Sequence, residues 1–405
     1  MAEHSHIEWT DATWNPVTGC TVLSPGCTNC YAMKLAGTRL QHHPSRAGLT
    51  TMTKAGPVWN GKVRFNEEWL TQPLRWKRPR MIFVCAHGDL FHEDVPDEWI
   101  DKVFAVMALC PHHIFQVLTK RSARMRAYMS SRRAIRRIYD TVCDMVLDGD
   151  AAGVLIAPGT NPDLAPAGKR IFLDRWPLPN VWLGVSAEDQ TRAFERVPHL
   201  LQTPATTRFL SAEPLLGPLE LYAVERPPSE IDRRLTGQEL IDFYWCDALT
   251  GQRGAMFKNG SVREAAGDFG PKLDWVIVGG ESGPGARPMH PDWARSLRDQ
   301  CADAGVPFFF KQWGSMATVY DRDADDPDWR ECDKIARRTP NGRWLNLAGG
   351  HGFHGDRVVR VTPVGKKIAG RLLDGVEHNG MPRAPATSEG DSPTIDRGAE
   401  GKARP

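Results

Sequence analysis

No apolar run in this sequence approaches the ~18 residues that a membrane-spanning helix needs, and the opening stretch MAEHSHIEWTD is polar where a secretory leader would be apolar. A cytoplasmic location is expected from these two features. Neither sign of charge is in surplus: 51 Lys and Arg against 49 Asp and Glu leave a net charge of +2, too little to demand a polyanionic partner. Heptads are missing, and so are internal repeats beyond the strand and helix units described below, which sets aside coiled coils and solenoids. Cysteine is scarce and odd in number, nine in 405 residues, which speaks against a disulfide framework and suits a reducing compartment. With 41% hydrophobic residues, the chain can bury one large α/β core or two smaller ones.

Those few cysteines are unevenly spread. Cys85, Cys110, Cys143, Cys246, Cys301 and Cys332 are scattered like ordinary core or surface residues, whereas Cys20, Cys27 and Cys30 crowd into NPVTGCTVLSPGCTNCYA, residues 15–32, on a loop punctuated by Gly19, Pro25 and Gly26. Thiolates are soft ligands, and a short loop bent by glycine and proline can turn three of them inward. Three ligands leave one position open. A [4Fe–4S] cluster so held keeps one iron free for a small molecule; zinc would need a fourth donor, for which His4, His6, His42 and His43 are nearby. The spacing leaves both metals open, with three small buried residues or a disulfide as the bland alternative.

Along the rest of the chain, short apolar runs end in polar or glycine-rich clusters and give way to amphipathic stretches. The runs are Ala12 to Val17, Met81 to Cys85, Ile114 to Leu118, Val181 to Val185, Arg208 to Leu210, Trp275 to Val278 and Phe308 to Phe310. Helices are expected over Asp97 to Leu109, started by Pro96 and Asp97, and over Arg192 to Leu201. Continuous apolar strands alternating with helices predict a parallel sheet covered on both faces. Functional-looking residues after every strand favour a complete or partial (β/α) TIM-like barrel of about six to seven strands over an open doubly wound sheet, because only a barrel gathers all strand ends on one rim. The barrel is expected to take up residues 1–320, with insertions near 148–180 and 222–272. A small appended subdomain should follow over 321–373, and a disordered tail over 379–405.

On that rim the candidate ligand-binding residues are His87 and Asp89 after the second strand, Ser186 and Glu188 after the fourth, and Glu213 after the fifth. Gly279, Gly280 and Glu281 follow the sixth strand and Lys311 the seventh, with Lys120 and Arg121 as further cations. Helix capping and tight turns with solvated carboxylates would use the same residue types. Arg132, Arg133, Arg136 and Arg137 form a basic patch on one expected helix, a solvated face or a nucleic-acid contact.

The run Asn15-Pro16, Gly19-Cys20, Cys27, Cys30, Tyr31-Ala32 resembles the cluster loop of radical S-adenosylmethionine enzymes, particularly the relatives of spore photoproduct lyase. Two features differ: the spacing is C-x6-C-x2-C where those loops read C-x3-C-x2-C, and Asn29 stands where an aromatic residue often precedes the last cysteine. The chain is closer still to the phage Gp37/Gp68 family of three-cysteine-motif proteins, which it resembles in the cysteine loop and in the later GGESG and KQWG stretches, across residues 7 to 315. The resemblance implies a barrel with the cluster loop after its first strand and a [4Fe–4S] cluster on Cys20, Cys27 and Cys30. It also implies S-adenosylmethionine at the open iron, an external electron donor and a 5′-deoxyadenosyl radical, with nucleic acid as the substrate suggested by kinship with spore photoproduct lyase. In those enzymes a GGE motif after the second strand contacts the amino group of S-adenosylmethionine. Here Gly279-Gly280-Glu281 follows the sixth strand, so His87 and Asp89 are expected in that place and Glu281 as a substrate or cofactor contact. The alternative is a zinc- or cluster-binding accessory protein associated with nucleic acid and without enzymatic activity.

Overall fold

Seven short apolar runs build one parallel sheet in chain order. β1 (Ala12–Trp14), β2 (Met81–Val84), β3 (Ile114–Thr119), β4 (Val181–Ser186), β5 (Thr207–Ala212), β6 (Trp275–Gly279) and β7 (Phe308–Gln312) lie side by side, each paired in parallel with the next. This computed structural model describes residues 5, 7–147, 176–222, 224–226, 241–258, 261–264 and 270–383. All seven expected runs are strands, most extending a residue or two beyond their apolar centre. The first is shorter than expected and stops at Trp14, where Asn15-Pro16 ends the ladder because proline has no amide hydrogen to give.

An uninterrupted strand order without a switch point is that of a barrel, and the sheet is curled into a half-barrel. The curl is visible in Trp9, whose ring touches both Phe83 of β2 (centroids 4.9 Å apart) and Trp275 of β6 (6.1 Å). In a flat sheet four strand spacings would hold β2 and β6 roughly 19 Å apart. Trp9, Phe83, Trp182, Phe209, Trp275 and Phe309 fill the lower part of the concave side as an aromatic floor. Gly184 on β4 is part of that packing: a Cβ there would lie 2.5 Å from the Phe209 ring.

The half-barrel does not close. Among the described residues β1 and β7 are not paired with each other, and the outer edge of β7 is covered by the strip around residues 376–380. The Phe310 amide donates to the His378 carbonyl (2.9 Å), the Gly380 amide to Phe308 (3.0 Å), and Trp275 Nε1 to the Gly380 carbonyl (2.7 Å). Residues 379–383 of the expected disordered tail are therefore docked on the barrel; 384–405 lie outside the described residues.

On the convex side α2 (Asp97–Leu109) follows β2, α3 (Ser122–Met129) and α4 (Arg132–Leu147) follow β3, α5 (Gln190–Leu201) follows β4, and α6 (Pro291–Asp303) follows β6. Their starts are chemically marked. Asp97 and Glu98 occupy the first turn of α2, the Asp189 carboxylate accepts from the Arg192 amide (2.9 Å) at α5, and Pro291 opens α6. Between β5 and β6 the insertion contains a four-stranded antiparallel sheet: Val224–Arg226, Ile241–Cys246, Arg253–Phe257 and Val262–Glu264. Of the other expected insertion, 148–175 lie outside the described residues. The appended subdomain is a three-stranded antiparallel sheet of Met316–Asp321, Val359–Pro363 and Arg343–Leu345. Among the described residues no helix is long and apolar enough to cross a membrane.

Candidate functional site

The cysteine loop leaves the C-terminal end of β1 and lies against the loop that leaves β2. The Gly19 amide donates to the His87 carbonyl (3.1 Å), and the His87 amide donates to Asn15 Oδ1 (3.0 Å). Contact is close enough that a Cβ on Gly88 would meet the carbonyls of Val17 and Gly19 at about 3 Å. The loop ends in α1 (Tyr31–Ala36), with Cys30 at its N-cap.

All three thiols are free, Cys27 buried, Cys20 and Cys30 partly so. They lie near enough to act on one another: Cys27 and Cys30 both make Cys20 harder to ionise, and Cys27 does the same to Cys30. Burial is the larger effect, pushing Cys20 up to about 12, with the Asp89 charge adding to it and the Arg121 guanidinium opposing it. Cys30 is likewise raised by burial, against which the amides of Met33 and Ala32 in the first turn of α1 favour the thiolate. Among the described residues no three of His, Cys, Asp and Glu come close enough to hold a single metal ion. Of the histidines nearest in sequence for a zinc site, His43 is turned to Ser45 Oγ (2.7 Å) and the Trp69 ring, and His42 is exposed. His4 and His6 lie outside the described residues.

Three ion-paired carboxylates from the rim fasten this loop. After β2 and β3, Asp89 pairs with Arg121 (3.2 Å), and Arg121 in turn donates to Cys20 Sγ (3.3 Å) and Thr21 Oγ1 (2.5 Å). After β4, Glu188 is fully buried; it accepts from the Gly26 amide (2.9 Å) and pairs with Arg196 of α5 (3.0 Å). After β6, Glu281 accepts from Asn29 Nδ2 (2.8 Å) and pairs with Arg287 (2.5 Å), whose Nη2 also donates to the Pro25 carbonyl (3.0 Å). Asp89, Glu188 and Glu281, expected as ligand contacts, thus have oxygens committed to holding the loop. For Glu188 and Glu281 the paired charges and amides outweigh burial and lower the carboxyl pKa.

The two points at which the loop differs from the radical S-adenosylmethionine motif are two of its fastenings. The longer C-x6-C segment presents Gly26 to Glu188, where a Cβ would lie 2.9 Å from the carboxylate carbon, and Asn29 reaches Glu281. Arg196, Arg287 and Asn29 went unsuspected as site residues. Each is one polar residue among many, and only the fold shows which carboxylate it meets.

Other rim residues remain turned to the concave side. Glu213 and Lys311 form an ion pair at 3.0 Å, half-buried, with Ser211 Oγ 3.4 Å from the carboxylate. Gly279 makes room for Glu213, since a Cβ would sit 2.4 Å from Glu213 Oε1; Gly280 makes room for the Trp313 carbonyl (2.0 Å). Each glycine thus lies directly against a protein group. Ser186 is buried beside Ser211 in the β4–β5 ladder, and its carbonyl accepts from Arg196 (2.7 Å). His87 Nδ1 accepts from Arg46 Nε (3.3 Å), which leaves the ring hydrogen on Nε2; burial and Arg46 lower its pKa to about 3, so the ring is neutral. The Tyr31 ring meets His87 edge-on at 5.8 Å, and its hydroxyl donates to the Ala86 carbonyl (2.6 Å). Lys120 is close enough to favour the charged forms of both Cys30 and Glu188.

A family model described as "Protein of unknown function (DUF5131)" matches residues 4–382. The chain belongs to the DUF5131 family. No curated protein and no solved structure matches it. The span matched by the DUF5131 model takes in all seven strands, the cysteine loop, the appended sheet and the strip along β7. The family unit is therefore the whole half-barrel with its attachments.

Outside the rim, the basic patch on α4 is partly neutralised. Arg137 pairs with Asp101 (2.5 Å) and Asp97 (3.0 Å), and Arg136 with Asp140 (3.1 Å); Arg132, Arg133 and Arg136 are exposed.

Proposed function

We propose that this chain is a radical S-adenosylmethionine enzyme in which Cys20, Cys27 and Cys30 hold a [4Fe–4S] cluster, S-adenosylmethionine binds at the rim, and the substrate is nucleic acid. The observation that carries this reading is that one loop over the rim of a half-barrel carries three free thiols near enough to act on one another. The donor set is chemically suited to the group: three soft thiols on one loop, near enough to act on one another's ionisation, would serve as the three protein ligands of a [4Fe–4S] cluster. When bound, the two cofactors supply one-electron reductive cleavage and hydrogen abstraction, drawing on an external electron donor.

The protein's own part is positional. The Glu213 carboxylate and Lys311 ammonium offer both signs of charge to a ligand bearing an amine and a carboxylate. His87, neutral and protonated on Nε2, offers a hydrogen-bond donor held uncharged by burial and by Arg46. The aromatic floor excludes water from below, and the three fastenings hold the loop rigidly above it. Arg132 and Arg133, exposed on α4, carry positive charge suited to a polyanionic substrate.

Anaerobic reconstitution tests the reading. Brown protein with about four irons per chain, and 5′-deoxyadenosine released under strong reductant, are expected. Alanine at Cys20, Cys27 or Cys30 should abolish iron binding, while Cys85→Ala, Cys143→Ala and Cys332→Ala retain it. Colourless protein carrying one zinc would instead favour the accessory role.

A further inference from the structure

The three fastenings of the cysteine loop are not alike. Those at Gly26 and Asn29 grip a backbone amide and a side-chain amide, whereas the one after β3 reaches a sulfur. Arg121 is 95% buried, and its guanidinium is divided among four partners: Nε to Glu93 (3.2 Å), Nη1 to Asp89 (3.2 Å) and to Cys20 Sγ (3.3 Å), and Nη2 to Thr21 Oγ1 (2.5 Å). Asp89 cannot turn away from this arrangement. Its oxygens also accept from Thr119 Oγ1 (2.7 Å) and from the amides of Phe91 (3.0 Å) and Lys120 (3.2 Å). The guanidinium is thus fixed from behind, with one N–H edge aimed at Cys20.

We propose that Arg121 is a positioning residue that keeps an N–H···S hydrogen bond on the Cys20 sulfur and so sets the reduction potential of the cluster. The proposal rests on the iron–sulfur reading above. Hydrogen bonds to the ligand sulfurs, net charge and burial are what a protein uses to tune such a potential. Reduction adds negative charge that the sulfurs share, so a donor on one of them stabilises the reduced form and raises the potential. Asp89 supplies the orientation and cancels most of the arginine's charge, leaving the N–H dipole as the effective contribution.

The test is an EPR-monitored redox titration of the reconstituted full chain, with iron per chain measured alongside. Compared per cluster loaded, Arg121→Gln and Arg121→Lys should show midpoint potentials below the wild type, because neither side chain can serve Asp89, Thr21 and the sulfur together. A wild-type potential in Arg121→Gln overturns the proposal. Should Arg121→Gln fail to fold because Asp89 is left unpaired, the double variant Asp89→Asn/Arg121→Gln removes both charges at once and is compared with Asp89→Asn alone. A lower potential in the double variant is expected; equal potentials overturn the proposal. Wild-type protein that takes up no cluster overturns the iron–sulfur reading, and this proposal with it.

Discussion

Glu188 Oε1 accepts the Gly26 amide hydrogen at 2.9 Å, joining the end of β4 to the middle of the cysteine loop. The other carboxylate oxygen pairs with Arg196 at 3.0 Å, and both side chains are almost completely buried. Removing one member of a buried pair leaves the other uncompensated, so Glu188→Ala should cost about 3–5 kcal/mol in thermal or denaturant unfolding. Gly26→Ala should lower global stability much less yet displace the loop, since its Cβ would lie 2.9 Å from the carboxylate carbon. Iron retention after reconstitution distinguishes the two effects. A Gly26→Ala protein that holds iron as firmly as wild type would show that this docking is irrelevant to the metal.

The aromatic floor yields a prediction without any metal. A Cβ at position 184 would lie 2.5 Å from the Phe209 ring, so Gly184→Ala should destabilise the chain by about 1–3 kcal/mol through overpacking. Phe209→Leu in the same chain should return part of that loss. The comparison is a double-mutant cycle in urea, and strict additivity of the two changes would contradict the packing described.

Stability should fall with acid in two stages. Burial holds His87 at about 3 and His113 at about 4 in the native state, against 6.5 ordinarily. Their contribution is complete above about pH 6.5 and is lost as pH falls from there, because the unfolded chain takes up protons that the native chain refuses. Glu188 and Glu281 are lowered by their partners despite burial, so their contribution is present above about 4.5 and lost as pH falls further. Melting temperature against pH should bend near both points. His113→Leu should flatten the upper limb; an unchanged slope there would assign it to other groups.

The Glu213–Lys311 pair should matter for ligand affinity and not for iron. Lys311→Met removes the cation and leaves Glu213 unpaired at the rim, which should weaken S-adenosylmethionine binding about 10-fold, the order of one charge-assisted hydrogen bond. Equilibrium dialysis of iron-loaded protein measures this directly. Unchanged affinity would count against this pair as a contact of the proposed ligand.

Much of this arrangement was legible before any coordinates. The seven strands were readable because most are near-continuous apolar runs such as Met81–Val84, a pattern that burial on both faces imposes. The start of α2 was readable from Pro96-Asp97. What each rim residue does was not. Asp89, Glu188 and Glu281 follow strands exactly as ligand-binding residues would, and the same positions serve equally to brace a loop crossing overhead. Which groups those carboxylates meet depends on Arg121, Arg196 and Arg287, brought to them by the curl of the sheet, a property that no local pattern encodes. The docking of Asn379 and Gly380 on β7 was missed for a related reason: a strip with too few apolar residues to fold alone can still be ordered by an edge that supplies its hydrogen bonds.

That strip has a practical consequence for anyone dissecting the molecule. A truncation at residue 373, the expected end of the appended subdomain, would leave the appended sheet intact and strip the cover from β7. The bared edge carries Phe308-Phe309-Phe310, three aromatic residues in extended backbone with free donors and acceptors, which is a template for sticking to a second copy. Shortened protein should therefore accumulate in inclusion bodies, whereas chains ending after Arg383 should remain dispersed.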